Sequence, residues 1–200
     1  RKEPSFSHWT YERLDVHPKD LRRALDQLSD AGFIGLNLTI PHKVEVLDFL
    51  EHLDDEASIM GAVNTLALHG NKWTGYNTDG YGLKMALEKE LSCDLVDSKI
   101  FILGAGGAAR AAATQTLLSG ANLVHIHNRT AKNLNNLTTL LHQEFDSERI
   151  IGSTSQTLND ADFCGKDWIV INATSLGLKL GEPSPLSIPC KQFGKQSVFY

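Results

Sequence analysis

The chain has 200 residues, 42% of them hydrophobic and 22% charged, and carries a formal net charge of -5 at pH 7. That length suits one or two globular domains, and the acidic balance argues against a general nucleic-acid or anionic-membrane surface while leaving room for a local basic pocket. No apolar stretch has membrane-spanning length and no signal-peptide pattern opens the chain. Cys93, Cys164 and Cys190 are few and widely separated. They fit neither a disulfide framework nor a metal-ligand spacing, and are expected as buried free thiols in a reducing cytoplasm. The eight histidines form no H-x-x-x-H or Cys/His cluster, so no metal is expected. The first residue is Arg1 rather than Met, from which a fragment or a processed form is expected.

Along the chain, WTYERLDV (9–16) alternates like a strand, and PKDLRRALDQLSDA (18–31) has helical spacing that stops at Gly32. FIGLNLTI (33–40) is expected as a strand, with a helix opening at Pro41 and reaching Leu53. Asp54 is placed to cap a short helix ending at Met60. VNTLALH (63–69) and KWTGYNT (72–78) flank Gly70-Asn71, the residue types of a two-residue hairpin turn. A helix from Gly80 to Leu91 follows, and the polar stretch SCDLVDS (92–98) marks the seam between two domains, 1–92 and 93–200. Beyond it KIFIL (99–103), LVHIH (123–127), RIIGS (149–153) and DWIVIN (167–172) are short apolar strands separated by helices. That alternation predicts a parallel sheet with right-handed crossovers, an α/β nucleotide-binding domain.

Gly104, Gly106 and Ala109 form a G-x-G-x-x-A pattern directly after one predicted strand and directly before a helix. In that setting the first glycine permits the tight turn, the second lets backbone approach a pyrophosphate, and Ala109 allows close helix–strand packing. The free N–H groups of the helix start complete an anion site. At the end of the next strand stands Asn128-Arg129-Thr130, with no acid to accept a ribose hydroxyl. Arg129 can clamp a 2′-phosphate through its guanidinium, with Lys132 adding charge, and the cofactor expected is NADP rather than NAD.

In the first half NLTIPHK (37–43), GAVNT (61–65) and YNTDG (76–80) each place polar side chains at a strand end or helix start. Thr39, Asn64, Thr78 and Asp79 suit a polyhydroxylated small molecule, and Lys43 and Asp79 form an acid/base pair if they converge. Each also has a plainer role. Asp79, Asn77 or Thr78 can cap a helix, Thr39 can cap another, Asn64 can serve a hairpin, and Lys43 can be a solvated lysine in a first turn. His42 is expected as a packing or surface residue.

Taken in order, NLTIPHK, GAVNT, YNTDG, GAGGAAR, NRT and NATSLG (172–177) resemble the motifs of the shikimate dehydrogenase family, over essentially all of residues 9–200. The resemblance implies an N-terminal α/β substrate-binding domain, a C-terminal Rossmann-like NADP-binding domain, and NADPH-dependent reduction of 3-dehydroshikimate to shikimate in aromatic amino-acid biosynthesis. It implies Lys43 and Asp79 as the catalytic pair, with Thr39, Asn64, Thr78 and Asp79 at the substrate. Gly104, Gly106, Gly107 and Ala108 would hold the pyrophosphate, and Asn128, Arg129, Thr130 and Lys132 the adenosine 2′-phosphate. Thr174 and Ser175 would lie near the nicotinamide. A small-molecule substrate is expected, with no nucleic acid or membrane partner, a cytoplasmic location and a monomer or homodimer.

The chain departs from the family pattern at several points. The HWTYERLDV that follows Ser5-Phe6-Ser7 resembles the strand after the helix of the family's S-x-S carboxylate motif, so the true motif is expected before Arg1. A final strand and C-terminal helices are expected beyond Tyr200, and Leu178 stands where the family often has Met. Two alternatives follow: a quinate/shikimate dehydrogenase using NAD, and a non-catalytic NADP-binding fragment.

Overall fold

A computed structural model describes residues 8–177, 181–182, 184–186 and 188–200. Ser5, Phe6, Ser7 and Leu178 lie outside the described residues. The chain is mixed α/β and builds two sheets.

The first sheet contains β1 (Gly35–Asn37), β2 (His52–Leu53), β3 (Thr65–His69) and β4 (Lys72–Tyr76), in the order β1-β3-β4-β2. β3 pairs antiparallel with both β1 and β4, while β2 runs parallel to β4. The hairpin turn falls at Gly70-Asn71 as its residue types predict, with Gly70 at φ +62°. α1 (Leu21–Asp30) follows a 3₁₀ turn at Pro18–Asp20 and buries Leu21 and Leu25, one helical turn apart, against Val46, Val63, Leu66 and Trp73. Trp73 donates its indole N–H to the Leu25 carbonyl at 3.1 Å, so burial of this large ring leaves no polar group unmatched. α3 (Asp55–Met60) is capped by Asp54, whose carboxylate accepts from Glu56 N, and ends at Gly61 in the left-handed conformation.

Two sequence expectations change here. Residues 9–16 form no strand: Trp9, Tyr11 and Leu14 are exposed, and the stretch runs beside β1 without a backbone ladder. Among its ties are the Tyr11 hydroxyl to Asn37 Oδ1 at 3.1 Å and the Val16 carbonyl to His42 Nε2 at 2.8 Å. Alternation alone gives a strand only where another backbone answers it. The helix expected from Pro41 to Leu53 is also shorter. α2 (His42–Glu45) tightens into a 3₁₀ turn, Val46–Phe49, and the chain then extends at Leu50. His52 and Leu53 are drawn instead into parallel pairing with Thr74 and Gly75.

α4 (Asp79–Met85) continues through a π-helical turn, Ala86–Glu90. Leu87 and Leu95 from this connection are buried in the core of the second sheet. That sheet holds β5 (Lys99–Leu103), β6 (Leu123–His127), β7 (Ile150–Ser153), β8 (Ile169–Asn172) and β9 (Val198–Phe199), all parallel, in the order β7-β6-β5-β8-β9. α5 (Gly107–Leu118) and α6 (Ala131–Glu144) are the crossovers. Ile100, Ile102, Val124 and Ile126 pack with Ala109, Ala112, Leu117, Leu137 and Leu141. The alternate residues Phe101, Leu103 and Val170 meet Phe163, Trp168, Ile188 and Phe193. A parallel sheet covered on both faces needs such near-continuous apolar strands. Its strand order reverses between β5 and β8, and an open α/β sheet binds ligands in the crevice at that switch point.

The thiols differ from expectation: Cys93 is half-buried, and Cys164 and Cys190 are exposed. The neighbouring Phe163 and Ile188 occupy the core positions that their segments offer. Among the described residues no helix is long and apolar enough to cross a membrane.

The aromatic cluster around Phe101 also encloses His125, 3% exposed, whose Nε2 is 2.8 Å from Ser153 Oγ. Burial lowers its pKa from 6.5 to about 4, with Asp162 opposing the shift and His127 adding to it. A neutral imidazole in the fold and a protonated one in the unfolded chain mean that stability is complete above pH 6.5. It falls as pH drops toward 4, by up to about 3 kcal/mol. Urea midpoints measured from pH 7 to 4.5 are therefore expected to decline, and His125→Gln should flatten that decline. Superimposable pH profiles for the two proteins would contradict it.

Candidate active site

The polar residues of the first half converge where β4 turns into α4. Asn77, 5% exposed, donates to the Ala62 carbonyl at 2.8 Å and accepts from Asp79 N at 3.0 Å, which fixes the turn from both sides. Asn64, 9% exposed, sits at the head of β3 with its backbone N–H on the Tyr76 carbonyl. Its side-chain oxygen accepts from Thr78 N at 3.0 Å and from the Thr65 hydroxyl at 2.9 Å. Its amide nitrogen donates to Asp79 Oδ1 at 2.7 Å and to Thr78 Oγ1 at 3.0 Å. Asn64 thus locks the Thr78-Asp79 turn to the neighbouring strand.

Lys43 arrives from α2, after the cis Ile40–Pro41 bond, and its carbonyl accepts from Val63 N at 2.7 Å. Its ammonium donates to Asp79 Oδ2 at 2.6 Å, with side-chain exposures of 18% for Lys43 and 31% for Asp79. Both carboxylate oxygens of Asp79 therefore have donors, one neutral and one charged, the stronger kind of hydrogen bond. For Asp79 the helix-capping alternative does not describe this geometry: Thr78 occupies the N-cap position, Asn77 accepts from Asp79 N, and Asp79 lies inside the first turn with its oxygens turned to Asn64 and Lys43.

The opposite wall comes from the second sheet. Gly104 leaves β5 at φ +111° with its N–H on the His127 carbonyl at 2.8 Å. A Cβ there would stand 2.9 Å from the Ala173 carbonyl, so both backbone conformation and space require glycine. Gly106 is the N-cap of α5, and a Cβ on it would meet nothing within 4 Å. Ala109 is fully buried in the helix–sheet core, the packing role its position predicts. Asn172 closes β8 in an Asx turn, its Oδ1 accepting from Thr174 N at 3.0 Å and from Thr174 Oγ1 at 2.7 Å. Ser175 beside it is exposed.

Between these walls lies a cleft of about 380 Å³ lined by Lys43, Thr78, Asp79, Ala108, Asn172 and Ala173 among others. Further out, Asn128 hydrogen-bonds the Thr130 carbonyl and hydroxyl at 2.8 and 2.9 Å. This shapes a corner from which Arg129, Thr130 and Lys132 are exposed, and neither Arg129 nor Lys132 pairs with an acid among the described residues.

The structure therefore gathers Lys43, Asp79, Asn64 and Thr78 into one hydrogen-bonded group. Thr39 stands apart, exposed, in a neighbouring groove with Tyr11, Leu36 and His42. His42 itself is buried and bonded to Val16, a packing residue as its type and place predict. The sequence offers Asn77 only as a helix cap and Asn172 only as part of NATSLG; the structure adds the Asn77 bond to the Ala62 carbonyl and the Asx turn that the N-x-T spacing of Asn172 signals.

Residues 5–66 match the family model described as the shikimate dehydrogenase substrate binding domain. The chain is 39% identical over 175 residues to the shikimate dehydrogenase (NADP(+)) of Methanocaldococcus jannaschii, covering 86% of this chain and 59% of that protein. The chain belongs to the shikimate dehydrogenase family. A shikimate dehydrogenase crystallised in complex with NADP+ has a TM-score of 0.79 at 34% identity, over 93% of this chain and 63% of that one. The ligand-free 5-ketofructose reductase of Gluconobacter sp. strain CHM43 has a TM-score of 0.72 at 30% identity, over 93% and 65%. The chain thus spans less than two thirds of the length of these relatives.

Proposed function

We propose that this chain carries the catalytic cleft of an NADP-dependent shikimate dehydrogenase, which reduces the 3-keto group of 3-dehydroshikimate to shikimate in aromatic amino-acid biosynthesis. The observation that carries the reading is the Lys43–Asp79 pair, 2.6 Å apart, facing the switch point of a parallel sheet across one cleft. On this reading a substrate-binding domain (1–92) and a Rossmann-like cofactor domain (93–200) meet at that cleft.

The residues present fit NADP. The space over Gly106 admits a pyrophosphate, the first N–H groups of α5 at Gly107 and Ala108 are free of helical partners, and among the described residues no acid pairs with Arg129 or Lys132, which leaves them for a 2′-phosphate. Asn128 and Thr130 shape that corner, Gly104 sets the turn, and Thr174 and Ser175 are assigned to the nicotinamide end. When bound, NADPH supplies the hydride. Lys43 delivers a proton from Nζ to the substrate's carbonyl oxygen and stabilises the charge that develops there. Asp79 holds the ammonium in place, and Asn64 holds Asp79. Thr78 and Asp79, which line the cleft, are assigned to substrate hydroxyls, and Asn64 and Thr39 are assigned to the substrate on the family motif alone.

Absorbance at the nicotinamide band, followed with shikimate, quinate and 5-ketofructose and with each cofactor, tests the reading. Turnover of shikimate with NADP is expected; turnover of another of these compounds without shikimate would overturn the substrate, and a preference for NAD the cofactor. Arg129→Ala is expected to raise the KM for NADP about 10- to 100-fold, the loss of charge-assisted hydrogen bonds worth about 1.5–3 kcal/mol, while the KM for NAD stays put. Equal effects on both cofactors would remove Arg129 from the 2′-phosphate.

A further inference from the structure

Gly107 opens α5 and belongs by motif to the phosphate loop, yet its nearest neighbour is not a site for phosphate. A Cβ on Gly107 would stand 3.1 Å from Lys43 Cβ, 3.2 Å from its Cδ and 3.7 Å from its Cγ. The alkyl stem of Lys43 therefore lies directly against the bare Cα of Gly107. Gly106, one residue earlier, has nothing within 4 Å of the same position. The two glycines thus face different things, the first open space and the second the lysine. The close approach of the two walls has a second witness: a Cβ on Gly80 of α4 would come within 2.5 Å of Met60 Cε and 3.3 Å of Gln115 Cβ on α5. Helix α4, which carries Asp79, and helix α5, which carries Gly107, are packed at backbone distance.

We infer that Gly107 is a positioning residue for Lys43: its missing side chain is the slot that holds the lysine stem and aims Nζ at Asp79 and the cleft. Lys43 has four rotatable side-chain bonds, and its head group is fixed by Asp79 alone among the described residues. The contact with Gly107 constrains the stem below that head. A methyl group in the slot displaces the stem by a few tenths of an ångström, enough to disturb a 2.6 Å hydrogen bond. The effect would not come from lost folding. Gly107 needs no left-handed backbone, and alanine has the higher helix propensity.

This inference rests on the proposed role of Lys43 for its kinetic consequence, though the contact itself does not. Two measurements keep them apart. First, Gly107→Ala and Gly106→Ala are compared with both substrates saturating and with thermal unfolding in parallel. Gly107→Ala is expected to lower kcat about 10- to 100-fold at an unchanged or higher Tm. Gly106→Ala is expected to raise chiefly the KM for NADP. A wild-type kcat in Gly107→Ala overturns the inference, whatever its KM. Second, the acetic anhydride labelling rate of Lys43, mapped by mass spectrometry against Lys132 in the chain without cofactor, reads the lysine directly. A rise of about threefold or more in Gly107→Ala is expected as the Asp79 bond loosens; an unchanged rate overturns the slot. If labelling changes while neither protein turns over shikimate, the proposed function fails and the slot stands.

Discussion

Lys43→Ala is expected to lower kcat about 10²–10⁴-fold, the range a positioned general acid contributes, with KM values moving by only a few-fold. α2 is a single helical turn, held because the Lys43 carbonyl accepts from Val63 N beside the head of β3. The side chain then passes over Gly107 and ends on Asp79, 18% exposed. Nothing in that arrangement strengthens the core of the first sheet, which is built from Leu21, Leu25, Val46, Leu66 and Trp73. Truncation therefore removes a proton and a charge at the cleft while sparing the packing that folds the domain. Lys43→Arg separates the two contributions. A guanidinium keeps the charge but does not release its proton near neutral pH, so a low kcat with retained substrate binding is expected from this variant too. A Lys43→Ala enzyme with wild-type kcat would remove the lysine from the chemistry.

What could be foreseen from the sequence follows the range of the interactions. Asp54 capping α3, the Gly70-Asn71 hairpin and the glycine turn between β5 and α5 are set by residues within a few positions, and each stands where its local signal placed it. The parallel sheet is equally local in origin, since apolar strands alternating with helices leave few other topologies. Failures came where a partner decides. Residues 9–16 have the alternation of a strand but form no backbone ladder with the neighbouring β1, and His52-Leu53 left a helical pattern because β4 offered an open edge. The candidate site divides in the same way. Residue types marked Lys43 and Asp79, whereas the Asn64 lock and the Gly107 slot join positions 15 and 64 residues from their partners, Asp79 and Lys43.

Asp79→Asn is expected to cost nearly as much as loss of the lysine, and for a reason that can be counted in donors and acceptors. Oδ1 of Asp79 accepts from the Asn64 amide at 2.7 Å and Oδ2 accepts from Lys43 Nζ at 2.6 Å. Asparagine has one acceptor oxygen and one amide nitrogen, so whichever way it turns, a donor faces a donor. If the amide faces Lys43, the ammonium is released from its aim; if it faces Asn64, the buried lock on Thr78 and the β4–α4 turn opens. Either way kcat is expected to fall about 10²–10³-fold. A stability loss of about 1–3 kcal/mol should accompany it, the cost of a buried polar group left unmatched. Because the two residues act as one unit, Lys43→Ala with Asp79→Asn should be little slower than Lys43→Ala alone, far from the product of the separate losses. A capping role makes a different forecast: kcat kept in Asp79→Asn, with the loss confined to Tm. Rate and melting measured on the four proteins of this cycle therefore decide what Asp79 does: a kept kcat in Asp79→Asn, or a slowed one whose loss multiplies with that of Lys43→Ala, would dissolve the pair on which the proposed chemistry depends.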